Sequence, residues 1–255
     1  MASAMGGLAR CLLITGLALI SHSAIAGTVT LAVAANFTDT TRTLTERFEA
    51  TTGHSTVVSY GSTGKLYAQI RNGAPYDVFM AADAQRPELL ESEGSGVSGT
   101  RFTYARGKLV LWSPAKDAFG AAAEYLEEQP FRRLAIANPK TAPYGLAARQ
   151  VLEHMGLWPA LQPKLVRGDS IAQTFQFIAS GNAPAGFVAL AQVNAWPDQT
   201  GTLWLIPQDH YDPIEQQAIL LARAADNVAA RDWLAFLKSP DAIKIIQNDG
   251  YDTTD

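Results

Sequence analysis

Cysteine is nearly absent from this chain: its 255 residues hold one, Cys11. No disulfide, thiolate metal site or cysteine nucleophile is therefore available beyond the extreme N-terminus. Histidine is scarce as well. His22, His54, His154 and His210 are the whole set, and their spacing matches no metal-ligand pattern. There is no Gly-x-Ser-x-Gly elbow and no Walker loop. Charged residues make up 17% of the chain, with a formal net charge of -4, which excludes the basic footprint of a nucleic-acid binder. It also excludes bulk attraction of anions, so any anion bound here must be caught by local dipoles. Internal repeats, low-complexity tracts and long charge runs are missing.

Long hydrophobic runs are missing too. The longest, Leu12–Ile20, falls short of the about 20 residues that a membrane span needs. Arg10 precedes it, and Ser21–Ser23 and then Ala24-Ile25-Ala26 follow, which reads as a signal peptide over residues 1–26, cut after Ala26. Arg10 beside Cys11 argues against a lipid attachment site. The expected product is soluble, exported and periplasmic. Without Arg10 it has 19 basic against 24 acidic side chains, and at this length it can rely on its core rather than on cross-links.

Strand-like runs alternate with helix-like segments in what remains. Thr28–Ala34, Thr56–Ser59 and Asp77–Ala82 alternate with Phe37–Thr51, Lys65–Arg71 and Pro87–Glu93, which predicts a mostly parallel sheet covered on both faces. Phe102–Trp112 reads as one long strand leading to a second α/β unit. That unit has strands at Leu134–Ala137, Leu165–Arg167, Gly186–Leu190 and Leu203–Ile206, with helices at Ala121–Glu128, Gly145–Met155 and Ile171–Ser180. Ile214–Ala222 returns the chain to the first unit, where Asn227–Leu237 and Pro240–Asn248 form packing helices. Gly250-Tyr251 ends the folded part. The expected division is residues 27–108 with 213–255 as one domain, and 109–212 as the other.

Four strand-to-helix junctions are candidate anion seats, because the first N–H groups of a helix are unpaired and carry partial positive charge. Gly61-Ser62-Thr63-Gly64 is the first, and Ala34-Ala35-Asn36-Phe37 the second, with Asn36 able to cap a helix against Asp39. In the second unit, Asn138–Gly145 places Tyr144 at a helix start, and Gly168-Asp169-Ser170-Ile171 leaves the Ile171 N–H as a free donor. Each junction alone is as well explained by ordinary capping. Tyr144 is as readily a surface residue packed between Pro143 and Leu146. Tyr60, Tyr67 and Tyr104 read as packing, and Asp77 and Asp83 as structural carboxylates.

As a set, Ala34–Phe37, Gly61–Gly64, Gln69–Phe79, Gly107–Trp112, Ala142–Ala147 and Gly186–Ala191 resemble the periplasmic molybdate-binding proteins of ABC transporters. The resemblance runs from Thr28 to Tyr251. It implies a two-domain α/β architecture of the type II periplasmic-binding-protein fold, with mixed, mostly parallel sheets and a ligand cleft between the domains. It further implies that Ala35 and Asn36, Thr63, Tyr144 and the Ile171 N–H line an oxyanion site. The family often has serine at the positions of Asn36 and Thr63, and some members have their tyrosine where this chain has Ala189, a role that Tyr144 takes here.

By the same resemblance the ligand is molybdate, with tungstate as a second ligand. The partner is an ABC transporter permease in the inner membrane, the protein is a monomer, no cofactor or catalysis is expected, and metal enters only as the oxyanion. The chemistry is consistent, since molybdate is fully deprotonated near neutral pH and only accepts hydrogen bonds. Asp39 and Asp169, the carboxylates nearest the seats, are assigned to capping. Two other readings stay open: a binding protein for sulfate or another tetrahedral dianion, and an exported hydrolase using Asp77 or Asp83.

Overall fold

The computed structural model describes residues 26–198 and 201–253; the expected signal peptide lies outside them except for Ala26. From its start the chain runs β1 (Thr28–Ala34), α1 (Thr38–Thr52), β2 (Ser55–Gly61), α2 (Thr63–Arg71), β3 (Val78–Met80), α3 (Gln85–Ser92) and β4 (Phe102–Gly107). It continues with β5 (Leu109–Ser113), α4 (Ala122–Glu128), β6 (Leu134–Ala137), α5 (Pro143–His154), α6 (Trp158–Leu161), β7 (Leu165–Gly168), α7 (Ile171–Ala179), β8 (Gly186–Ala189), α8 (Leu190–Asn194) and β9 (Thr202–Leu205). Finally come β10 (Ile214–Leu220), α9 (Val228–Leu237) and α10 (Pro240–Asn248).

These strands make two sheets, ordered β2-β1-β3-β10-β4 and β7-β6-β8-β5-β9. In each, three strands are parallel and the rest join antiparallel. The parallel triplets come from local strand-helix-strand alternation. The antiparallel members are the strands at the two crossings between sheets.

The stretch Phe102–Trp112 is not one strand, as its apolar pattern predicts. It breaks at Lys108, with β4 paired to β10 in the first sheet and β5 to β8 and β9 in the second. Periodicity does not mark this break, because strand-like sequence runs on both sides of Lys108 and the change is in the partners. The return crossing lies between β9 and β10, so two short connections join two lobes.

Burial on both faces holds for the central strands. In β1, Val29, Leu31, Ala32 and Val33 are fully buried, with one cluster around Phe48 and Trp233 on one side and another around Leu66 and Phe79 on the other. It fails for β2, an edge strand whose Val57 is 53% exposed. The second lobe's core, built on Leu109, Ile136, Val151 and Phe187, reaches across to Ala34, Ala35 and Ala82 of the first.

Candidate functional site

All four junctions converge. β1, β2, β6 and β7 each end at the face where the lobes meet, as expected for parallel strands, whose carboxyl ends open a crevice at a switch in strand order. Ala35, Asn36, Thr63, Tyr144 and Ile171 line one tight cavity with about 10 Å³ of free space, together with Ala34, Gly61, Ser62 and Ala82 from the first lobe and Ala142 and Pro143 from the second. That free space is about what one water molecule needs, far below the roughly 300–1,000 Å³ of a drug-sized ligand site. The walls contain no carboxylate, ammonium, guanidinium or imidazole.

The side chains are disposed differently from the capping pattern. Asn36 does not cap. Its Nδ2 donates to Gln216 Oε1 at 2.9 Å and to the Tyr251 hydroxyl at 3.1 Å, which spends both amide protons inside the protein. Tyr251 in turn donates to the Asn36 carbonyl at 2.8 Å. What Asn36 offers the cavity as a donor is thus its main chain at the start of the short helical turn Ala35–Phe37. Asp39 pairs with Arg42, and Asp169 with Lys65 Nζ at 2.8 Å. Neither carboxylate caps, because each has a cation within reach on the exposed surface. The cap of α7 is Ser170, which accepts from the Gln173 N–H at 3.2 Å.

Thr63 opens α2, and its Oγ1 accepts from the Ala82 N–H at 3.1 Å, so its proton remains to be given. Ser62 precedes it with no capping bond. Its hydroxyl is buried and has no hydrogen-bond partner. A buried unpaired hydroxyl costs about 1–3 kcal/mol, and one facing a cavity is a donor awaiting an acceptor. Sequence reasoning placed Ser62 in the seat without giving it a role of its own.

Tyr144 is 1% exposed, so the surface-packing reading fails. Its hydroxyl accepts from Gln216 Nε2 at 3.3 Å. Burial pushes Tyr144 well above the ordinary 10.0, helped by the Tyr251 and Tyr211 hydroxyls, and does the same for Tyr104 and Tyr251. All three phenols stay protonated, and Tyr144 remains a donor. Tyr104 is not simple packing, since its one hydroxyl proton lies within reach of both the Ala81 carbonyl at 3.1 Å and Gln216 Oε1 at 3.2 Å. Tyr251, taken as the end of the folded part, is 3% exposed and belongs to the same network.

The mouth is bridged between the lobes. The Gly64 N–H donates to the Thr141 carbonyl at 2.8 Å, Lys65 meets Asp169, and Arg86 donates to the Lys140 carbonyl at 3.2 Å. A β-carbon on Gly64 would lie 3.0 Å from Thr141 Cα and 3.1 Å from its carbonyl oxygen, so this approach depends on glycine.

Neither candidate catalytic carboxylate has a free role. Asp77 accepts from the Thr30 N–H at 2.8 Å and pairs with Arg223, tying β1 to the chain after β10. Asp83 pairs with Arg86, and burial pushes its carboxyl up despite that partner.

Comparison with known proteins bears on this geometry. A family model described as bacterial extracellular solute-binding protein matches residues 29–252. The chain is 49% identical to the molybdate-binding protein ModA of Azotobacter vinelandii, over 96% of this chain and 97% of that one. It is 47% identical to the ModA of Rhodobacter capsulatus, over 94% and 93% respectively. Among solved structures, the Azotobacter vinelandii periplasmic molybdate-binding protein matches with a TM-score of 0.85 at 42% identity, covering 89% of this chain and 100% of that one.

Proposed function

The chain belongs to the bacterial extracellular solute-binding proteins and has the type II periplasmic-binding-protein fold; on that premise we propose that it captures molybdate, and tungstate as well, and delivers it to an ABC transporter. It acts in the periplasm as a monomer, its partner is an inner-membrane permease, and it needs no cofactor and catalyses nothing. The observation that carries this reading is a tight cavity between two lobes, whose walls offer N–H and O–H donors and no carboxylate. A fully ionised oxyanion has no proton to give and matches such walls. Hydrogen phosphate, which must donate, would find neutral oxygens and no carboxylate to take its proton among these side chains.

In this reading the main-chain N–H groups at Ala35 and Asn36, the N–H and hydroxyl of Thr63, the Ser62 hydroxyl, the Tyr144 hydroxyl and the Ile171 N–H hold the anion. Its charge is met by helix N-termini and aligned dipoles instead of a cation. Support comes from the convergence of these groups on one cavity and from the near relatives' names. Asp77 and Asp83 are engaged structurally, so the hydrolase reading has no free acid–base pair.

Mass action gives the test. Molybdate at about 100 times its dissociation constant should stabilise the folded protein by about 2.7 kcal/mol, seen as a rise in melting temperature. No rise in millimolar molybdate would remove the assignment, and a rise with sulfate alone would move it to the other dianion.

A further inference from the structure

We infer that Gln216 is the positioning residue that aims the Tyr144 hydroxyl, in a notch kept open by Gly107. This inference rests on the molybdate reading and adds to it a residue outside the cavity wall.

Gln216 lies on β10, one of the two crossings between the lobes, and is fully buried. A buried primary amide must place two acceptor lone pairs and its N–H donors. Here Oε1 accepts from Asn36 Nδ2 at 2.9 Å and shares the single Tyr104 proton, at 3.2 Å, with the Ala81 carbonyl, and Nε2 donates to Tyr144 at 3.3 Å. One side chain thus joins the seat on the first lobe to the phenol on the second.

The direction of these bonds matters more than their number. With Oε1 facing two donors, the amide turns its nitrogen to Tyr144, which can only accept. The phenol has one proton, and Gln216 leaves that proton for a different acceptor: the neighbouring Tyr251 hydroxyl or, with an oxyanion in the cavity, the anion. An oxygen in place of Nε2 would draw the same proton away.

The backbone is shaped to allow this contact. Gln216 pairs with Ala105 and Gln217 with Thr103, so the β4–β10 register slips at Tyr104. Such an irregularity re-aims side chains beside a functional site, and Tyr104 reaches Gln216 from it. At the end of β4, a β-carbon on Gly107 would lie 2.0 Å from the Tyr144 hydroxyl oxygen and 2.9 Å from Gln216 Nε2. Only glycine leaves room for both groups.

The test is a double-mutant cycle read by calorimetric titration with sodium molybdate, with ligand-free melting recorded for each protein. Gln216→Met should weaken binding about tenfold when Tyr144 is present and less than about threefold in Tyr144→Phe, because most of its effect passes through the hydroxyl. Gln216→Glu, which puts an oxygen where Nε2 stood and draws the Tyr144 proton to itself, should behave in the same way and serves if Gln216→Met does not fold. Equal losses in both backgrounds, or none, would overturn the role, since a purely structural residue costs the same whether or not the hydroxyl is there. The parent protein in the same series separates the two claims: failure of the parent to bind molybdate sinks the functional reading and this one with it, while parent binding with additive losses sinks only the role of Gln216.

Discussion

Tyr144 and Ser62 are the side chains on which affinity should turn most clearly, and they differ in what their removal does to the empty protein. Tyr144→Phe deletes a donor to a charged acceptor, expected to cost about 1.5–3 kcal/mol, or roughly 10- to 150-fold in affinity. Ser62→Ala should weaken molybdate in the same direction, yet leave ligand-free melting unchanged or higher, because the hydroxyl it removes has no partner in the protein. Titration and melting of the two variants check this; a large loss of ligand-free stability in Ser62→Ala would return that hydroxyl to a structural role. At this scale the sequence was legible in identity and not in direction. The five residues read from the junctions and the resemblance do line one cavity, but Asn36 was read as a cap while its amide faces Gln216 and Tyr251, 180 and 215 residues away. No local pattern encodes partners at that distance.

Helices α2 and α7 each begin at the cavity, with Thr63 and Ile171 as their first residues, and the element that sets how closely the lobes approach is the first turn of α2. Gly64→Ala tests it. An added β-carbon meets Thr141 backbone at 3.0 Å, and the cheapest relief is separation of the lobes, since Gly64 is held in α2 and Thr141 in the hydrogen-bonded turn that leads into α5. Alanine also favours helix over glycine by up to about 1 kcal/mol. The expected outcome is therefore molybdate affinity reduced several-fold with ligand-free melting unchanged or slightly raised; affinity equal to the parent would show that the Gly64–Thr141 contact is not needed for binding. The Lys65–Asp169 pair across the same mouth is half exposed or more on both sides and contributes at most about 1 kcal/mol. Elements were the most legible level of the chain, since each seat follows an apolar strand and opens a helix. The stretch Phe102–Trp112 nonetheless reads as one strand, because what changes across Lys108 is the pairing partner, which no local pattern records.

The whole molecule carries two consequences of burying phenols and excluding charge. Tyr104, Tyr144 and Tyr251 have folded-state pKa values raised by burial. A raised value means that the unfolded chain binds fewer protons at high pH, so this contribution is complete below pH about 10 and is lost as pH climbs toward the folded values. Three such groups give a slope of up to about 4 kcal/mol per pH unit. Urea unfolding should be nearly as hard at pH 9 as at pH 8, and much easier at pH 11; equal stability at pH 11 would contradict the burial of these hydroxyls. The second consequence is selectivity. With fixed donors and no flexible cation, the proposed site would discriminate by size, because donors placed for molybdate would stand too far from the shorter bonds of sulfate. Weakening two or three hydrogen bonds by about 1 kcal/mol each amounts to roughly 30- to 150-fold. The most direct measurement is calorimetric titration of molybdate into the protein with and without excess sulfate: the account predicts tight molybdate binding that sulfate displaces only at 30-fold or greater excess, and displacement at similar concentrations would contradict it.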